Sequence, residues 1–389
     1  HHWVLALPSF RKPGKLRGRQ VTWIFSWRKA MPKYSEISQV ESPLDQDQYD
    51  KNDLPTWCAH PLKVPSPQPT MLLFPGDMTH YAGMLAACRQ LPAVQEMMEL
   101  ATETFDFDLQ RVFDECSSAD FANRTDRSQM LAFVADCAAY EFFREQQPEV
   151  ATTPRAVAGF AVGEFAALVA AGVMSYDQGL VVVKARAEAM QRWVDDEEMA
   201  AVAVFGLEEE QLKNLCANME PGGKAAQKVF ISHFWGRKGF VCSGTSTAVQ
   251  ELEKLVGSQS QEAEALYAQR LEYRVDAGHT PLAAAVAVEV EEVINSIQMN
   301  APQCEVYFNC GFRVAAGEDP SVFAPYLIQQ LVMPLRWDTT IRSSLQRGIR
   351  RFYECGPGHS LKDLMMFNSF MAQAQTVRPI GLTTAAVSC

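Results

Sequence analysis

The sequence predicts an α/β protein with a central parallel sheet, and three stretches carry that prediction. Residues 70–76, TMLLFPG, form an apolar run closed by a turn. Residues 155–173, RAVAGFAVGEFAALVAAGV, read as strand, Gly-flanked turn and helix, and RRFYECGPGHSL at 350–361 repeats strand and Gly-rich turn. Short buried strands that end in tight turns before helices are the pattern of a parallel sheet. The middle stretch has the order of a nucleophile elbow, a turn that lifts one side chain above the sheet while the next helix aims N–H groups at it. The side chain so presented is Ala161. A methyl group cannot attack a carbonyl carbon.

Composition narrows the class. The 389 residues are 48% hydrophobic and 21% charged, as in a globular protein large enough for one big domain with an insertion, or for two. No 18-residue apolar run is present, so no membrane span is expected. Ten cysteines at irregular spacing, without CxxC or zinc-type Cys/His sets, read as free thiols in a reducing compartment, and no metal or cofactor is expected.

Charge is unevenly placed. Residues 1–35 hold Arg11, Lys12, Lys15, Arg17, Arg19, Arg28, Lys29 and Lys33 and no acid. The remaining residues carry 27 Lys and Arg against 46 Asp and Glu. Trp23 and Trp27 interleave with the arm's cations, a pattern suited to RNA or to an acidic protein surface. The favoured reading is an extension docking on a partner; one that folds back on the acidic body and an uncleaved targeting sequence stay open. Residues 36–69 become acidic and then Pro-rich, a semi-rigid connector.

Within the body, 82–150 reads mainly as helices, AGMLAACRQLPAVQEMMELATE, FDLQRVFDEC and MLAFVADCAAYEFFREQ, and their Met and Phe stripes are core positions. AVAVFG at 201–206, EEEQLKNLC, VFISHFWGRKGFVCSG and VQELEKLVG suggest a small α/β unit ending near 277. Its hairpin segment holds Trp235, Arg237 and Lys238, either an exposed docking tip or an ordinary turn with one buried aromatic. CEVYFNCGFRV reads as a strand, and YLIQQLVMPLRWDTTIRSSLQRGI as helix broken at Pro334. His359 and Ser360 are adjacent and are not expected to face each other as a catalytic pair.

Taken together, GFAVGE at 159–164, ARAEAMQ at 185–191, FPGDMTHYAGM at 74–84, Gly278-His279-Thr280, MPLRW and YECGPGHSL resemble, in order, the motifs of malonyl-CoA:acyl-carrier-protein transacylases. The resemblance implies a large α/β subdomain (70–200 and 278–375) and a small inserted ferredoxin-like subdomain (201–277), flanked by the arm and linker (1–69) and a small, polar tail (376–389) read from composition. It also implies roles. Phe160 and Ala161 stand where the family has His and its nucleophilic Ser, and Asp77 stands where it has the Gln beside the oxyanion hole. A carboxylate there would repel a developing oxyanion. Val162 matches the residue whose backbone N–H completes that hole, a donor that side-chain changes leave intact. Arg186 matches the arginine that grips the malonyl carboxylate, and His279 the general base, supported in the family by a main-chain carbonyl that would fall near Met333-Pro334.

With Ser, His and Gln absent at their places, the sequence is read as a catalytically inactive, transacylase-like protein, not an enzyme. Its expected role is structural or in assembly within a large mitochondrial ribonucleoprotein, the mitochondrial ribosome above all, located in the matrix. Its partners would be ribosomal RNA or an acidic protein surface through residues 1–35. Two alternatives accompany this reading: a regulator of fatty-acid synthesis that binds acyl-carrier protein, and an active S-malonyltransferase with a displaced nucleophile.

Overall fold

The computed structural model describes residues 69–77, 79–196, 198–218, 228–259, 266–271, 277–367 and 376–380. The arm candidates Arg11, Lys12, Lys15, Arg17, Arg19, Trp23, Trp27, Arg28, Lys29 and Lys33 lie outside the described residues, as do the linker 36–68, Met78 and most of the tail.

The described chain is α/β with two sheets. Strands β1 (Thr70–Phe74), β2 (Ala156–Gly159), β7 (Glu305–Tyr307), β8 (Arg313–Val314), β10 (Arg351–Cys355) and β11 (Thr376–Ile380) form the first, in the order β11-β10-β1-β2-β7-β8. All neighbours are parallel except β7 and β8. Every residue of β1 is buried, the signature of a strand covered on both faces. Its alternate side chains feed two cores. Leu72 and Phe74 join Val157 and the helix Thr125–Gln146, whereas Met71 and Leu73 join Ala156, Ala158, Phe352 and Trp337.

The second sheet takes β3 (Met199–Phe205), β4 (Val229–Gly236), β5 (Gly239–Thr245), β6 (Tyr267–Arg270) and β9 (Leu335–Arg336), in the order β6-β3-β5-β4-β9. Helices Glu209–Ala217 and Ser246–Gln259 follow β3 and β5, so β3 to β6 run strand, helix, strand, strand, helix, strand. That succession with this strand order is ferredoxin-like. One face packs Val202, Val204, Phe234, Phe240 and Cys242 beneath helix residues Leu212, Val249 and Leu252.

Local chemistry explains where elements differ from expectation. The helix predicted from residue 82 begins at Pro92, because proline lacks an N–H and holds Leu91 extended (φ −70°, ψ 128°). The strand expected over 304–314 is a hairpin, β7 and β8, turned at Asn309–Gly311 with Gly311 at φ +86°. The helix break at Pro334 also holds β9, too short to show as a periodic pattern.

Candidate active site

Strands β1, β2 and β7 end side by side at one edge of the first sheet, where open parallel sheets place their ligands. The segments leaving them carry Gly76-Asp77, Phe160-Ala161 and Asn309.

At the end of β2 the backbone makes the expected elbow. Phe160 N–H donates to the Phe74 carbonyl at 2.8 Å, Ala161 is left-handed (φ +51°), and the helix Gly163–Ala170 starts two residues later. A non-glycine residue in that region costs about 1–2 kcal/mol, so the surroundings must hold it. The sequence keeps glycine where contact is tightest. A Cβ on Gly159 would lie 2.0 Å from the Gly163 carbonyl carbon, and one on Gly163 would lie 2.3 Å from the Pro75 carbonyl oxygen. Gly76 packs against the Phe160 carbonyl in the same way, which brings half-buried Asp77 beside the elbow.

Asn309 fastens the turn. Its Nδ2 donates to the Ala161 carbonyl at 2.9 Å, and its Oδ1 accepts from the Ala161 N–H at 3.1 Å. Its own N–H donates to Oε2 of the fully buried Glu164. Burial raises the Glu164 carboxyl to about 8, opposed by the Asn309 N–H and the Arg186 charge. Among the described residues, Val162 N–H has no hydrogen-bond acceptor, leaving a main-chain donor at the start of the helix.

Arg186 sits on the helix Tyr176–Asp196, 3% exposed, with Nη1 donating to Gln129 Oε1. Gln129 Nε2 in turn donates to Thr125 Oγ1 at 3.0 Å. The guanidinium is thus a buried, braced cation and not a solvated surface group.

His279 is also buried, at φ +60°, with its N–H donating to the Leu331 carbonyl at 2.9 Å. Its Nδ1 lies 2.7 Å from the Gln330 carbonyl, which requires the proton on Nδ1 and leaves Nε2 as an acceptor. That Nε2 is buried without a partner among the described residues. The main-chain support expected near Met333-Pro334 comes instead from Gln330, because the helix Phe323–Val332 turns the carbonyls of its last turns toward the histidine. Burial, His233 and Arg186 push the imidazole well below its ordinary pKa, so it is neutral.

Phe160 stacks on the His233 ring with centroids 5.7 Å apart and meets Trp337 edge-on at 5.5 Å. The His233 ring stands 5.2 Å from that of His279. Burial lowers His233 to about 3. Sequence reading passed over His233, Asn309, Gln129 and Trp337. His233 lay in a segment read as a hairpin tip, yet it occupies the middle of β4. The tip is a two-residue turn with Arg237 and Lys238 exposed, Lys238 2.7 Å from Glu208. Trp235 is half-buried, its ring 6.1 Å from that of Phe205.

An acyl transferase domain model matches residues 72–380. The chain belongs to the acyl transferase family. A probable mitochondrial malonyl-CoA-acyl carrier protein transacylase of Drosophila melanogaster is 27% identical over 90% of this acyl transferase and 94% of its own length. The mitochondrial malonyl-CoA-acyl carrier protein transacylase of Mus musculus is 31% identical over 77% and 79%. Among solved structures, the malonyl-CoA:acyl carrier protein transacylase of Xanthomonas oryzae superposes with TM-score 0.70 at 27% identity, covering 81% of this chain and 95% of its own. A type II PKS acyl-carrier protein bound to its malonyl-transacylase matches at TM-score 0.68 and 25% identity, over 80% and 94%.

These matches correct the functional expectation. The reading of a non-enzyme serving the mitochondrial ribosome is overturned: the relatives are named as transacylases, which are enzymes. The absence of Ser at 161 does not outweigh the rest of the site. Arg186, His279 and the left-handed elbow all persist around position 161.

Proposed function

We propose that this acyl transferase is an acyl-carrier-protein S-malonyltransferase, acting in the mitochondrial matrix, in which the acyl group is carried by a group other than residue 161. The observation that carries the reading is the buried Arg186, braced by Gln129 and close enough to lower both Glu164 and His279 by its charge. A buried guanidinium beside a neutral imidazole suits a substrate that brings its own carboxylate, as malonyl does and acetyl does not. The neutral His279, with Nε2 available, would accept a hydrogen bond from the bound substrate, and the Val162 N–H would meet the oxyanion. Acyl-carrier protein would be the acceptor, in line with the transacylase relatives and the carrier-bound complex. Incubation with malonyl-CoA and holo acyl-carrier protein, followed by intact mass spectrometry, tests this. Malonyl-carrier formation above the protein-free rate is expected, and its absence would overturn the reading.

A further inference from the structure

If malonyl transfer occurs, some group other than residue 161 must hold the acyl chain. Six of the described thiols are poorly suited. Burial raises Cys88 to about 11, Cys304 and Cys310 to about 12, and Cys137, Cys242 and Cys355 well above their ordinary value. A thiol held protonated is inert.

One hydroxyl is placed differently. On β4, Ile231 pairs with Cys242 and His233 with Val241, so Ser232 is an extra residue bulged out of register. A bulge breaks the alternation that would send neighbouring side chains to opposite faces. Ser232 Oγ therefore lies 2.9 Å from Nδ1 of the next residue, His233, and also 2.7 Å from Ser243 Oγ and 3.2 Å from the Val241 carbonyl. The same imidazole stacks on Phe160 and faces His279.

Resting on the malonyl-transfer reading above, we infer that Ser232 is the displaced nucleophile of this acyl transferase and His233 its base. Ser232 Oγ attacks the thioester carbonyl carbon, and its proton passes to His233 Nδ1. The C–S bond then breaks, and that proton leaves on the coenzyme A sulfur. The second half runs in reverse. The carrier-protein thiol gives its proton to His233 and takes the malonyl group, and Ser232 regains its hydrogen. Ser232 has no exposed surface, so the thioester reaches it only when the bulge opens to solvent, and the same opening relieves the burial that holds His233 at about 3.

The test compares the wild type with Ser232→Ala, Ser232→Cys and Ser243→Ala after incubation with malonyl-CoA, with and without carrier protein. Adducts are located by peptide mapping and challenged with neutral hydroxylamine, which cleaves thioesters and spares oxygen esters. The wild type should carry a hydroxylamine-resistant malonyl group on the peptide containing Ser232, and Ser243→Ala should keep it. Ser232→Ala should lose both adduct and transfer by about a hundredfold or more. Ser232→Cys should carry a hydroxylamine-labile adduct, which separates loss of the nucleophile from loss of folding. Undiminished transfer by Ser232→Ala, or an adduct mapped elsewhere, overturns this assignment and leaves malonyl transfer standing. No transfer by the wild type overturns both.

Discussion

Asn309 grips Ala161 by both of its backbone polar groups, donating to the carbonyl at 2.9 Å and accepting from the N–H at 3.1 Å. The two residues are 148 positions apart, and this contact holds a left-handed alanine at the mouth of β2. Asn309→Ala should leave the buried Ala161 N–H unpaired, while the Ala161 carbonyl keeps the Glu164 N–H at 3.2 Å. One unpaired buried group costs about 1–3 kcal/mol, and urea unfolding should show a loss of that size. A loss below about 1 kcal/mol would show that another group shapes the elbow.

The elbow glycines should be far less tolerant than the alanine they flank. In Gly159→Ala the new methyl meets the backbone of Gly163 and Glu164 at 2.0–2.1 Å, where no side chain is present to yield. A loss above about 3 kcal/mol, or failure to fold, is expected. Ala161→Gly should stay within about 1 kcal/mol of the parent, because relief at φ +51° offsets the added freedom of the unfolded chain. Thermal unfolding of both variants decides the matter.

Arg186→Lys should separate charge from geometry. Lysine keeps the cation but loses the planar fork, so binding of malonyl-CoA by calorimetry should weaken by about 10- to 100-fold. Binding of acetyl-CoA, which has no carboxylate, should change by less than about threefold on the same physical ground. Equal losses for both would remove Arg186 from carboxylate recognition.

Stability should fall as pH rises from 6.5 to 8. Glu164 and Glu354 are raised by burial to about 8 and about 7, so the folded state holds protons that the unfolded state has released. Their contribution is complete below the ordinary carboxylate range and is lost on passing the folded values. His80 and His233, lowered to about 4 and about 3, act in the opposite sense, but only below the ordinary histidine value of about 6.5. Glu164→Gln should flatten the decline by about 1–2 kcal/mol in urea titrations at the two pH values. An unchanged slope would show that Glu164 is ionised in the folded protein.

How far the chain could be read without coordinates follows from how local each signal is. β1, β2 and β10 were legible because a strand buried on both faces needs consecutive apolar residues, and the elbow because its glycines sit where a Cβ cannot. Arg186 and His279 were legible through the motifs around them. Asn309 was not, since its value lies in meeting residue 161 across 148 positions. His233 was hidden for a different reason. A bulge changes which face a side chain takes, and nothing in the Ser232-His233-Phe234 alternation announces it.

The two-residue strand β9 has a mechanical meaning. On one side it pairs with His233 and Phe234 of β4, and on the other the Arg336 N–H donates to the Asn309 carbonyl at 2.7 Å. Asn309 in turn holds Ala161. The links from β4 through β9 to Asn309 are made by peptide groups, whatever side chains those residues carry. The spacing of the elbow from the second sheet is therefore set as in a vice, by the frame and not by the jaw faces. An exchange at residue 160 resurfaces one jaw and leaves that frame intact.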